Sequence, residues 1–383
     1  MRRINYPENL RSFKKDYLVS VYKGDIKEMQ RRWKDLRNSN PFLKNNFPKR
    51  LVKIILADYS KLIIFYETYI RLSSNLEGIL TEIINIFNYK KYQPSIANFF
   101  MLNSAKLDIT TCFYCETSFI NAYEVDNYEK ECLAKLNCLP FDKLKATLQT
   151  KNDDSVRAIM ASRPYLSVDE FNKKWKSLKW SRKAKKFESI FKPNPLRNHF
   201  DIDHVLDKGS CPLVSLSIMN FVPCCQVCNE KLKRSLVLGD YLLGKPKEHL
   251  SPSSPNYDFD NKVILRLEPV LPKADEITSV DPAYAIDFPE KFNLKFDFVD
   301  QTYEWIADIF RLRERYNFHK LEGLYWLSMK AKYNDSSVEL MSNALSDPNF
   351  SVTRIKEDIF RENYDKKRHP CFLKLKKDIL SIE

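Results

Sequence analysis

Glycine is scarce in this chain, with six in 383 residues. Loops that cradle phosphates bring their backbone close through glycine, and neither G-x-x-x-x-G-K-[ST] nor G-x-G-x-x-G occurs. A nucleotide-binding loop of either kind is excluded, so any use of ATP belongs to another chain. Long apolar runs are missing too. The two most apolar windows, "LVKIILADYSKLIIFYETYI" and "GILTEIINIF", are broken by Lys53, Asp58, Lys61, Glu67 and Glu82, whereas a membrane span needs about 20 predominantly apolar residues. No membrane segment is expected. Nor does a secretory leader open the chain, because "MRRINYPENLRSFKKDY" is polar and charged from the start. The nine cysteines are therefore expected to be reduced thiols of a cytoplasmic protein. No internal repeat or heptad run stands out.

Positive charge is abundant. Lys and Arg number 63 against 50 Asp and Glu, a formal net charge of +13, which favours polyanionic partners and equally serves solubility.

The pattern divides the chain into three stretches. Residues 1–105 read as a helical N-terminal region, with apolar residues three and four apart and two capping boxes, Asp25 with Glu28 and Ser74 with Glu77. Ile79, Leu80, Ile83, Ile84 and Phe87 form a stripe expected to face a helix core. Residues 106–236 carry short strand-like runs and clustered cysteines, interrupted at about 120–197 by a basic insertion that a third capping box, Ser167 with Glu170, marks as helical. Residues 237–383 open with the linker-like "GKPKEHLSPSSPNYD". The strand-like "KVILRLEPV" and "FNLKFDFVD" come next, and then a helical C-terminal domain. The expected fold class is mainly α with a small α+β core.

The chemistry concentrates in the middle stretch. "TCFYCET" sets Cys112 and Cys115 two residues apart, and "PCCQVCNEK" repeats the spacing with Cys225 and Cys228. Two such knuckles close a tetrahedral thiolate site, the geometry of structural zinc. A saturated four-thiolate site has no open position for water, so it braces the fold and performs no chemistry. Cys224 is one residue too far from Cys228 for the usual knuckle, and Cys132, Cys138, Cys211 and Cys371 have no paired spacing.

Acid/base candidates cluster in "FDIDHVLDKG". In a strand from Phe200, strict alternation puts Phe200, Ile202 and His204 on one face and Asp201, Asp203 and Val205 on the other. A divalent ion can meet Asp203 where the strand ends, leaving His204 to contact a water. Downstream, Asn220 precedes a short apolar strand and Asn229 directly follows a knuckle cysteine. On a helix, neighbours Cys228 and Asn229 point about 100° apart, so one can face the zinc and the other a second site.

"CFYCE", "DIDH" and "CPLVSLSIMNFVPCCQVCN", in that order, resemble the HNH nuclease family with its ββα-metal core, and in particular the zinc-braced members. The wider layout, a helical front with "LRERYNFHK" behind, is similar to HNH effectors of bacterial anti-phage systems of the Septu and retron-associated kind. The resemblance implies a nuclease hydrolysing phosphodiester bonds with Mg2+ or Mn2+. It makes Asp203 and Asn229 the ligands of that ion, His204 the general base and Asn220 the residue that holds the metal loop. It further implies DNA as substrate, with RNA such as tRNA the alternative, and a separate ATPase partner. The sequence departs from the family pattern in three places: Asp207 stands where proline is frequent, Leu232, between Lys231 and Lys233, stands where lysine is frequent, and the gap from Cys115 to Asp203 is much longer than in compact members. Either lysine is a candidate phosphate contact. His199 is a further candidate, weighed against a polar strand edge. Lys174, Trp175, Lys176 and Trp180 of the basic insertion could track a phosphate backbone and stack on bases, or form a solvated helix whose tryptophans pack inward. A different class remains open as well, a zinc-stapled nucleic-acid-binding module whose Asp-His pair does no catalysis.

Overall fold

The computed structural model describes residues 1–125, 127–148, 150, 152–177, 196–239, 245–270, 280–345, 347–367 and 369–381. The chain forms two units by its internal contacts, Met1–Asn121 with His199–Glu383, and Ala122–Asn198. The second unit spans the residues of the insertion expected at about 120–197, and the rest of the three stretches belongs to the first.

In the first unit, the periodicity of the front region becomes helices Leu10–Tyr22, Ile26–Ser39, Tyr59–Leu76, Leu80–Ile86 and Tyr89–Leu102. Asn9, Asn40 and Asn88 act as caps, each side chain accepting a backbone N–H of the following first turn. The capping boxes expected there do not form. Asp25 precedes a helix but gives its carboxylate to Lys91 and Tyr92, while Ser74 lies inside Tyr59–Leu76. The stripe is likewise only half right: Ile83 and Phe87 are buried, Leu80 and Ile84 exposed. The tight turn Glu77–Ile79 separates the two helices and resets the phase of the pattern.

Tyr89 and Phe100 of the last of these helices pack on Phe221 of an antiparallel hairpin, made of two four-residue strands, β3 (Asp201–His204) and β4 (Phe221–Cys224), in the register Asp201↔Cys224 to His204↔Phe221. A wide, π-type helical turn, Val227–Lys233, follows β4. The connection from Val205 to Asn220 is fixed from several sides. Asn220 is wholly buried; its Oδ1 accepts the Leu206 N–H at 2.7 Å, and its Nδ2 donates to the carbonyls of Leu206 at 3.0 Å and Val214 at 3.1 Å. Tyr17 and Tyr22 both donate to the Leu216 carbonyl. Ser215 and Ser217 donate outward to the carbonyls of Phe87 and Ile54.

The "SPSSP" segment is not a solvent-exposed linker. Leu250, Ser251, Ser253 and Ser254 are buried, Ser253 donates to the Met219 carbonyl at 2.6 Å, and the Ile4 N–H donates to Pro252. Serine and proline are polar and turn-forming in composition, but here their polar groups find buried partners. Farther on, β5 (Val263–Pro269) pairs antiparallel with β6 (Phe292–Phe298), as the alternating phenylalanines predict. Helices Thr302–Ile309, Leu312–Phe318, Lys320–Lys332 and Leu373–Leu380 follow among others.

The second unit has a core of its own. Helices Tyr128–Cys138, Phe141–Leu148, Asp153–Ala161 and Val168–Ser177 bury Leu136, Leu144, Val156, Ile159, Tyr165 and Phe171 together. The third capping box forms in part: Ser167 Oγ accepts the Glu170 N–H, and the Glu170 carboxylate accepts from Leu166. β1 (Ala122–Glu124) pairs with β2 (Leu196–Asn198) where the unit begins and ends.

The protein is thus mainly helical with small two-stranded sheets. Among the described residues, no helix is long and apolar enough to cross a membrane. Replacing Asn220 by alanine would remove the partner of the Leu206 N–H and carbonyl and leave the Val214 carbonyl with the Ser217 N–H alone. The expected loss is roughly 3 kcal/mol, read as a lower urea midpoint at constant zinc.

Candidate metal centre and acid/base face

The first knuckle is a tight reversal of the chain. The Cys112 N–H donates to the Ser118 carbonyl, Ile120 to Thr110, and Glu116, at a φ of 52°, to the Cys112 carbonyl. This turns Cys112 and Cys115 to the same side. Cys225 leaves the end of β4 and Cys228 sits in the turn Val227–Lys233, which the Asn229 N–H to Cys225 carbonyl bond closes. The four Sγ atoms lie within 4.8 Å of one another, and all four residues are buried. Sulfurs bound tetrahedrally at about 2.3 Å stand about 3.8 Å apart, close to the 4.0 Å between Cys115 and Cys225. The cluster therefore fits an ion such as zinc, as the spacing predicts. Among the described residues no other cysteine joins it.

The sulfurs have further donors. Thr117 Oγ1 lies 3.2 Å from Cys115 Sγ, and the Cys225 N–H donates to Cys112 Sγ at 3.3 Å. Arg315, from helix Leu312–Phe318, reaches Cys228 and Cys115 through its two terminal nitrogens. Hydrogen bonding to Cys112, with the other sulfurs close by, brings the Cys225 thiol down to about 6. Sequence reasoning missed Arg315, and no spacing in "LRERYNF" sets it apart.

Beyond the cluster, strand β3 alternates as expected. Asp203 is buried and accepts from Tyr114 Oη at 2.6 Å. Lys233, also buried, places Nζ 3.2 Å and 3.0 Å from the two Asp203 oxygens and donates to the His204 carbonyl at 2.8 Å. Burial raises the Asp203 carboxyl above its ordinary range, while Lys233 and the Tyr114 hydrogen bond pull it back. Tyr114 is held by stacking on Phe310, 4.4 Å between centroids and 17° between planes. On the same face of the strand, Asp201 accepts from Asn229 Nδ2 at 3.2 Å.

His204 occupies the opposite face. Its Nε2 lies 3.0 Å from the Ser215 carbonyl, and its ring packs edge-on against Tyr89 and Phe221. Burial, reinforced by the Lys208 charge, holds the imidazole down to about 3. A carbonyl only accepts, so Nε2 carries the proton and the lone pair of the neutral ring is on Nδ1.

The structure brings some of the expected residues together and separates others. Asn220 holds the loop, Cys228 and Asn229 diverge onto different sites, and Asp203 and His204 leave the same strand end. Asp203, however, faces Lys233 and Tyr114, Asn229 faces Asp201, and His204 lies across the strand from both. Asn229 meets Asp201 through its amide nitrogen, and both Asp203 oxygens lie against the Lys233 ammonium. Lys233 itself is enclosed and does not serve as the surface phosphate contact expected of it, because Asp203 needs a counter-charge in the interior. Lys231 is exposed, as are His199 and, on helix Val168–Ser177, Lys174. The side chains of Trp175 and Lys176, and all of Trp180, lie outside the described residues.

No protein-family model, curated protein or solved structure matches the chain.

Two outcomes are expected. Purified protein should carry about one zinc per chain by native mass spectrometry, and chelation should lower the melting temperature steeply, since ion binding at such a site is folding free energy. Lys233→Met should cost about 3–5 kcal/mol in urea unfolding by stranding the Asp203 charge, with much of that loss recovered when Asp203→Asn is added.

Proposed function

We propose that the chain is an HNH-type endonuclease that hydrolyses phosphodiester bonds of nucleic acid, with DNA as substrate. One arrangement supports the reading: a hairpin whose first strand ends in Asp203-His204, a loop held by Asn220, and a helical turn carrying Asn229, all tied to a four-cysteine clamp. The order of these residues, and the nine-residue step from Asn220 to Asn229, resemble the zinc-braced HNH pattern, while the gap from Cys115 to Asp203 is longer than in its compact members. RNA stays within the proposal, since attack by water requires no 2′-hydroxyl.

In this reading His204 is the general base. Ser215 fixes its tautomer, which leaves Nδ1 to take a proton from the attacking water. Asp203 and Asn229, with Asp201 beside them, are the residues that would hold Mg2+ or Mn2+, which when bound supplies neutralisation of charge on the scissile phosphate. Lys231 and His199 are solvent-facing candidates for the phosphate backbone, and the net charge of +13 favours a polyanion. The proposal extends to a cytoplasmic effector of bacterial anti-phage defence acting with a separate ATPase. Its support is the resemblance and the lack of a nucleotide loop.

A second reading has its own observation. Lys233 already serves Asp203 as cation, and His204 faces away from Asp203 and Asn229, which favours a zinc-stapled module that binds nucleic acid without cutting it. Plasmid and RNA cleavage with Mg2+ or Mn2+, wild type against His204→Ala at matched zinc content and melting temperature, separates the two. Loss of about 10²–10⁴-fold in rate with retained binding is expected of the nuclease. Wild-type binding without cleavage would establish the module, and cleavage indifferent to His204→Ala would remove the mechanism.

A further inference from the structure

Four thiolates around a divalent ion carry an excess of two negative charges. In water that charge is solvated, but these sulfurs are buried, where uncompensated charge is costly. Arg315 meets it. Nη1 donates to Cys228 Sγ at 3.3 Å and Nη2 to Cys115 Sγ at 3.2 Å, one sulfur from each knuckle. Nη2 also donates to Thr117 Oγ1 at 2.8 Å, the hydroxyl that itself lies on Cys115 Sγ.

The guanidinium is itself positioned. Nη1 makes a longer contact to the Phe310 carbonyl at 3.4 Å, and the next residue, Tyr316, is buried and donates to the Cys115 carbonyl at 3.0 Å. Two successive residues of one helix thus grip the first knuckle. Arg2, another cation of this region, is committed to the Asp108 carboxylate, with its guanidinium over the Phe113 ring. A planar fork of donors can bridge two sulfurs with one charge, whereas an ammonium is a single point charge.

We propose that Arg315 is a fifth member of the metal centre, a positioning residue that neutralises two thiolates from opposite knuckles and makes ion retention depend on helix Leu312–Phe318. The inference rests on the four cysteines holding a metal and is independent of the nuclease reading.

The test uses the full chain with Arg315→Met and Arg315→Lys, loaded with Zn2+ or Co2+. Zinc transfer to a chromophoric chelator should show affinity weakened about 10–100-fold in the methionine variant, the range typical for loss of an outer partner of a metal ligand, with partial recovery in the lysine variant. The thiolate-to-cobalt charge-transfer band should move to lower energy in the order wild type, lysine, methionine, because sulfur stripped of its cation gives up an electron more easily. A merely structural role would lower the melting temperature and leave affinity and band unmoved, which would overturn the proposal. If the methionine variant does not fold, the lysine variant decides: wild-type affinity and an unshifted band would overturn the bridging role, and intermediate values would support it. A wild-type chain that takes up neither ion would overturn it as well.

Discussion

The cluster of four sulfurs joins two segments separated by 110 residues between Cys115 and Cys225, and much of the local geometry follows from that junction. The strands of the central hairpin are only four residues each, too short to be stable alone in water. The second knuckle starts where β4 stops, so fixing Cys225 and Cys228 fixes the end of the hairpin and the first turn of Val227–Lys233. That turn then presents Asn229 to Asp201 and Lys233 to Asp203. The sulfur junction thus adds to the backbone bonds of the turn, Asn229 N–H to Cys225 and Arg234 N–H to Asn229, in setting which side chain faces which carboxylate.

The other half of the support is polar and buried. The loop from Val205 to Asn220 has only two single helical turns, Pro212–Val214 and Ile218–Asn220, and hydroxyls and one amide supplement its own backbone bonds. Tyr17 and Tyr22 converge on one carbonyl, Ser253 takes another, and Asn220 serves three backbone groups. Each bond contributes modestly, about 1 kcal/mol net, whereas leaving any of these buried groups unpaired costs more. The network therefore specifies one conformation of the loop that supports His204 more than it adds stability. The front helices and the "SPSSP" segment consequently act as walls of the acid/base region.

Features with a short period or a fixed spacing were legible in the sequence. The C-x-x-C pairs announce the sulfur cluster, the alternation in "FDIDH" places Asp203 and His204 on opposite faces, and the phenylalanines of "FNLKFDFVD" announce β6. What escaped depends on contacts distant in sequence. Lys233 looks like any lysine in "NEKLKRS" until Asp203, thirty residues earlier, is seen to claim it. Arg315 looks like one of several arginines until helix Leu312–Phe318 meets the knuckles. Ser74 and Glu77 have the composition of a cap, but packing carries the helix through Ser74, and Ser251 to Ser254 have the composition of a linker but find buried partners. Composition records local preference, and tertiary contacts override it at these positions.

The neck of the second unit has a topological consequence. The His199 N–H donates to the Asn121 carbonyl at 2.9 Å, so the first unit is left and rejoined at adjacent residues, and inside the second unit Ala122 pairs with Asn198. Residues 122–198 are in this sense a closed pendant of sequence whose two ends already meet. Excising it asks the remaining chain to span almost no gap, and exchanging it for a pendant of another length changes the closure entropy only logarithmically. The same junction lets the body keep its wiring while the pendant diverges in size, charge or binding preference.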